Sequence, residues 1–130
     1  MDDVALAEAK AWMHKARDDL NSAKKLLAGY DPYPATAAYH CQQAVEKALK
    51  GFLAGHDVSF PRTHDLRVLV SVGVEIEATL DTFHDTADLL TPYATEFRYP
   101  TGCPDPTPEE AAQAIHAAEA ILTFVDRALG

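Results

Sequence analysis

Between Tyr39 and Leu66 the chain carries a dense set of side chains able to bind an anion or carry a proton. His40, Gln42, Gln43, Glu46, Lys47 and Lys50 fall within eleven residues, and Arg62, His64 and Asp65 follow. Two ammoniums, an amide and an imidazole can hold phosphate oxygens and a base edge, because charge-assisted hydrogen bonds to anions are the strong ones. His64 and Asp65 open an apolar run, where the free N–H groups of a helix start form an anion pocket. His64 adds a proton-dependent donor there, and Arg62 can reach the same place. Asp65 would oppose a close anion, so its expected role is structural, offsetting the positive helix end. No metal is expected: His40, Cys41, His64 and Asp65 show no tight spacing such as Cys-x-x-Cys or His-x-x-x-His. No cofactor is expected either, since there is no glycine-rich phosphate loop, Ser/His/Asp order or strand-turn-helix motif.

The element that must position the first group is a helix from about Pro34 to Leu53, ended by Gly55. At about 100° per residue, His40, Gln43, Lys47 and Lys50 share an arc of roughly 80°. That arc lies nearly opposite an apolar stripe of Cys41, Val45, Ala48 and Phe52, with Leu49 beside it. Periodicity alone makes it a solvated face, and the Glu46–Lys50 and Gln43–Lys47 spacings support a helix without any ligand. The alternative is a contact site for a nucleotide or phosphate. Gln42 and Glu46 fall beside the stripe instead, where they are expected to hydrogen-bond to a neighbouring helix, one across a dimer interface included.

The remaining segments supply the partners. From Asp3 to Ala28, Ala9, Trp12, Ala16, Leu20, Ala23 and Leu27 recur at three- and four-residue steps, with Gly29 as a stop. Thr63 is the expected cap of a short helix over "HDLRVLVSV". A longer helix is expected from about Glu75 to Tyr93 on Ile76, Leu80, Phe83, Ala87 and Leu90, kinked or shortened by Pro92. "RYPTGCPDPT" is a loop. Thr107 to Glu110 then form a capping box with Pro108 at the first helical position, opening a helix to Leu129. No segment alternates with period two. The chain therefore reads as one all-α domain over residues 1–130, an antiparallel up-and-down bundle of four long helices plus one short helix.

Composition narrows the partners. Hydrophobic residues make up 48% and charged residues 24% of the 130-residue chain, an ordinary globular balance. Without a signal peptide or a long apolar run, neither export nor a membrane span is expected, and two cysteines suit reduced thiols in the cytoplasm. The net charge is −9. Residues 1–74 balance nine acids with nine Lys/Arg, while residues 75–130 hold eleven acids against Arg98 and Arg127 alone. Bulk electrostatic binding of nucleic acid is thereby disfavoured, because phosphate affinity comes largely from clustered cations. A local basic site in the first half and a basic partner for the second remain compatible with this pattern.

"AYHCQQAVEKALKGFLAGHDVSFPRTHDL" (38–66) resembles the signature of the HEPN domain: an aromatic and His before Gln-Gln-Ala, then Glu-Lys, a second Lys and a later Thr-His-Asp-Leu. The Ala16–Leu20 pattern of the first helix and the late "FRYP" resemble the family as well. The resemblance implies a helical bundle that usually dimerises and often works beside a minimal nucleotidyltransferase, sometimes as a toxin–antitoxin pair. Some members are metal-independent RNases, and others have nucleotide-binding or accessory roles. The family's RNase motif is an Arg followed after four to six residues by a His. No Arg of this chain has a His at that spacing, and Cys103 stands where one would follow Arg98. A thiol without pKa tuning is no substitute for imidazole. The resemblance thus implies a homodimeric, nucleotide- or RNA-associated accessory protein. A ribonuclease with a displaced site, such as His64 with Arg62 or Arg98, is the alternative, and a purely structural dimer module is a third.

Overall fold

The fold is organised around its second helix. A computed structural model describes residues 1–100 and 102–130, and every regular element among them is helical. Thr101, in the proline-rich loop, lies outside the described residues. α1 (Asp3–Leu27) and α2 (Pro34–Gly55) pair as an antiparallel hairpin, and α5 (Pro108–Leu129) packs against both. α3 (Leu66–Val74) and a helical stretch over residues 78–94 cover more of α2. The result is an all-α antiparallel bundle of four long helical segments and one short one, as the periodicity predicts. No helix among the described residues is long and apolar enough to cross a membrane.

Local chemistry fixes the ends. Asp2 caps α1 by accepting from the Ala5 amide at 2.7 Å. Thr107 and Glu110 exchange side-chain and backbone bonds of 3.0 and 3.1 Å, the capping box that starts α5. The cap of α3 differs from expectation. Asp65, not Thr63, is the N-cap, its carboxylate accepting from the Arg67 amide at 3.0 Å. The Thr63 hydroxyl instead accepts from the Asp65 amide, turning the chain one step earlier.

The fourth segment keeps its predicted inward register but changes winding along its length. Ala78–Phe83 and Thr91–Ala94 are 3₁₀ turns flanking α4 (His84–Leu90). Leu80, Ala87 and Leu90 still face inward and Phe83 is half-buried, while Ile76 precedes the helical stretch. Pro92 stands at the start of the last turn, where its missing N–H leaves the smallest gap in the bonding. The Thr91 hydroxyl bonds the Ala87 carbonyl at 2.6 Å and accepts from the Leu66 amide at 3.2 Å, joining α4 to α3.

α2 is buried on far more of its circumference than one stripe provides. Besides Cys41, Val45, Ala48, Leu49 and Phe52, the core takes in Ala37, Ala38, Ala44 and Leu53. Small residues permit this. A Cβ on Gly51 would stand 2.9 Å from Trp12 Cβ and 3.2 Å from the Ala9 carbonyl oxygen, so α1 and α2 approach closely there. That approach brings polar residues of α1 onto the polar face of α2.

Candidate functional site

Two carboxylates gather the polar side chains of α2. Asp19, on α1 and only 9% exposed, meets His40 Nδ1 at 2.8 Å and takes the Lys47 ammonium at 2.5 Å. Glu46, itself on α2 and 5% exposed, takes Lys50 at 3.0 Å on one oxygen. Its other oxygen meets His64 Nδ1 at 2.7 Å and Gln42 at 3.2 Å. Fully buried Gln42 also donates to the His64 carbonyl at 2.8 Å and accepts from Gln43 at 2.7 Å, so its amide hydrogens and its oxygen are all used. No buried side-chain nitrogen or oxygen among the described residues lacks a partner.

The loop between α2 and α3 completes this cover. Phe60 meets Trp12 edge to face, with ring centroids 6.1 Å apart. The Lys50 ammonium lies 5.8 Å from the Phe60 ring centroid. The face bearing Gln43, Lys47 and Lys50 is therefore half-buried under α1 and this loop rather than solvated. His64 keeps a 68% exposed side chain while bonded to Glu46. Arg62 is exposed and, among the described residues, forms no ion pair or hydrogen bond. Asp65 pairs with Arg67 through contacts of 2.9 and 3.1 Å, and that hydrogen-bonded guanidinium holds its carboxyl below the usual range.

Beside this network opens a cleft of about 420 Å³ lined by Ala35, Thr36, Tyr39, His40, Phe97 and Arg98. The Arg98 guanidinium carbon lies 4.1 Å from the Tyr39 ring centroid, and the His40 ring meets Tyr39 edge to face. His40 spends Nδ1 on Asp19, which leaves Nε2 as its remaining ring nitrogen. The α2 N-terminus has no side-chain cap, and Ala35 and Thr36 of its first turn line the cleft. An exposed cation stacked on an aromatic ring, an imidazole and an uncapped helix start thus line one place.

Of the sequence candidates for nucleotide or phosphate binding, this cleft holds only His40; Lys47, Lys50, Gln43 and His64 are engaged in the carboxylate network, and Arg62 lies in neither. The helical wheel of α2 misses Asp19 and Tyr39, and Arg98 enters the sequence reading only as a cation for a displaced nuclease site. A signal for Asp19 exists: it falls between Ala16 and Ala23 on the edge of the α1 stripe, where a carboxylate demands a buried partner. Cys41 is fully buried, and burial, reinforced by Glu119, pushes its thiol up to about 12. No group of three or more metal-ligating side chains assembles among the described residues.

Comparison with known proteins places these features. No match is found among the curated proteins. Among solved structures, the chain is similar to the crystal structure of TT1696 from Thermus thermophilus. The two are 28% identical with a TM-score of 0.76, and the match covers 92% of this chain and 97% of that one. The HEPN domain family profile matches residues 9–128, from the first turns of α1 almost to the end of α5. The chain belongs to the HEPN domain family.

Proposed function

We propose that this protein is a nucleotide- or RNA-associated accessory partner of a minimal nucleotidyltransferase, in a toxin–antitoxin-like pair, acting as a cytoplasmic homodimer. The observation that carries the ligand half of this reading is the convergence of Arg98 and the uncapped α2 N-terminus on the Tyr39 cleft. A phosphate there meets the guanidinium of Arg98, held over the Tyr39 ring, beside the start of α2. His40 offers a further ring nitrogen. Lys47 and Lys50 support the site at one remove, since a phosphate on either would have to displace Asp19 or Glu46. Titration with nucleotides and short RNA tests the reading, beside a pull-down with the product of the neighbouring gene. Binding that falls about tenfold in Arg98→Ala is expected; no binding to any of these sinks it.

One observation favours the ribonuclease alternative, moved from His64 to His40. Asp19, His40 and Arg98 supply an oriented imidazole and a phosphate-directed cation beside one cleft. That reading requires growth arrest on expression, RNA cleavage by the purified protein and loss of both in His40→Ala. Intact RNA with proven expression excludes it.

A further inference from the structure

The Tyr39 cleft is free of acids in a chain that is rich in them. None of the six residues lining it is Asp or Glu, although the molecule carries a net charge of −9. Arg98 lies over the Tyr39 ring and 5.8 Å from the Tyr99 ring centroid, and its guanidinium makes no ion pair or hydrogen bond among the described residues. The ring contacts fix the place of the cation while its N–H groups stay available to an anion. The Thr36 hydroxyl lines the same cleft, is exposed, and has no hydrogen-bond partner among the described residues. With His40 Nδ1 engaged by Asp19, Nε2 is the ring nitrogen left for a ligand, and it donates when the imidazole is protonated.

A guanidinium, an imidazole and a hydroxyl are three separate donors, and they suit one kind of phosphate better than another. A terminal phosphate presents three acceptor oxygens and a charge of about −1.5 to −2 near pH 7. A phosphate inside a strand presents two free oxygens and a single charge, and it brings its neighbours along. Those neighbours fall outside the cleft, on a molecule that is net negative. Of the 11 Lys and Arg residues, Arg98 alone lines the cleft, and Arg17, Lys24, Lys47, Lys50 and Arg67 are paired with carboxylates. The volume of about 420 Å³ is that of a small-ligand site, not of a channel that follows a strand.

We propose that the Tyr39 cleft selects a phosphomonoester, the phosphate of a free mononucleotide or of an RNA end, over an internal phosphodiester. Arg98 takes two phosphate oxygens with its planar fork, and His40 Nε2 and the Thr36 hydroxyl serve the remaining lone pairs. This rests on the nucleotide- or RNA-binding reading of the same cleft and names the chemical group that the site recognises.

The test uses the full chain, titrated with one short RNA made in three forms: 5′-phosphorylated, 3′-phosphorylated, and with hydroxyls at both ends. A nucleoside 5′-monophosphate and the matching nucleoside serve as competitors. At least one phosphorylated RNA should bind about tenfold tighter than the hydroxyl form, and the monophosphate should compete where the nucleoside does not. Arg98→Ala should bring the three RNAs to one affinity. Thr36→Val, at an exposed hydroxyl without a partner among the described residues, should narrow the preference a few-fold, and it carries the test if Arg98→Ala lowers the melting temperature. A monophosphate that binds as tightly as the phosphorylated RNA assigns the site to free nucleotide; one about tenfold weaker assigns it to an RNA end, and either supports the proposal. Equal binding of phosphorylated and hydroxyl RNA overturns it, and leaves the cleft as an RNA site if Arg98→Ala weakens both. A preference that survives Arg98→Ala also overturns it, by placing the phosphate elsewhere. Binding of no probe at all overturns it together with the reading on which it rests.

Discussion

Asp19 and Glu46 decide what the polar face of α2 is free to do. Each is a nearly buried carboxylate, and a buried charge is tolerable only when paired and hydrogen-bonded. Asp19 holds His40 and Lys47, and Glu46 holds His64 and Lys50, so four apparent ligand groups already have partners. Removing one carboxylate leaves a cation poorly solvated. Glu46→Gln should therefore cost about 3 kcal/mol in urea unfolding, and a second change of Lys50 to Met should restore part of it. The two thiols give an independent check. Cys103 is exposed and Cys41 buried, so a thiol reagent at pH 8 should modify one site rapidly and the other only on unfolding. The Cys41 thiol rises from 9.0 to about 12 on folding. Above pH 9 the unfolded chain thus releases a proton that the folded chain keeps, and stability falls as pH rises. The slope from this group is about 1.4 kcal/mol per pH unit until the folded thiol also ionises. Cys41→Ala should flatten alkaline unfolding by that amount.

At the scale of elements, glycines separate close packing from incidental contact. Gly51→Ala drives a Cβ against Trp12 Cβ and the Ala9 carbonyl, neither of which can swing away. It should cost about 1–3 kcal/mol by chemical denaturation. At Gly73 the closest approach of the added Cβ is to Leu80 Cδ1, the end of a flexible side chain, at 2.7 Å. Rotation of that leucine against the helical gain of alanine should leave Gly73→Ala near neutral. The stripes from Ala9 to Leu27 and from Ala111 to Leu129 were legible in the sequence because each of those helices buries one face. α2 was legible only in part. A three-four pattern marks one buried face, and this helix is covered by α1, α5 and the 56–65 loop, so Gln42 and Glu46 are buried without breaking the pattern. The 78–94 stretch showed the opposite limit. Its inward residues follow from spacing, but spacing does not distinguish a 3₁₀ turn from an α turn when the segment is short. The Tyr39 cleft joins the start of α2 to Phe97 and Arg98, nearly 60 residues apart. No local pattern carries a pairing of that separation.

At the scale of the molecule, charge limits how nucleic acid can be met at all. The chain has a net charge of −9, and Lys47, Lys50, Arg17, Lys24 and Arg67 are paired with carboxylates, so the cations without a carboxylate partner, Arg98 among them, are set in a net negative field. If the Tyr39 cleft is the binding place proposed above, affinity comes from a few directed contacts there, with Arg98 the main cation. Counterion release makes this measurable, since each phosphate neutralised on a single strand contributes roughly −0.7 to the slope of log K against log salt. Short RNA should therefore bind with a shallow slope of about −1, and Arg98→Ala should remove most of both the slope and the affinity. Tyr39→Ala removes the ring that holds the Arg98 guanidinium and should weaken binding by about 1–3 kcal/mol, whereas Tyr39→Phe, which keeps the ring, should leave both affinity and slope in place. Isothermal titration at several salt concentrations separates the two effects. A slope several times steeper, unchanged in Arg98→Ala, would put the phosphates on another surface and remove the cleft from the account of binding.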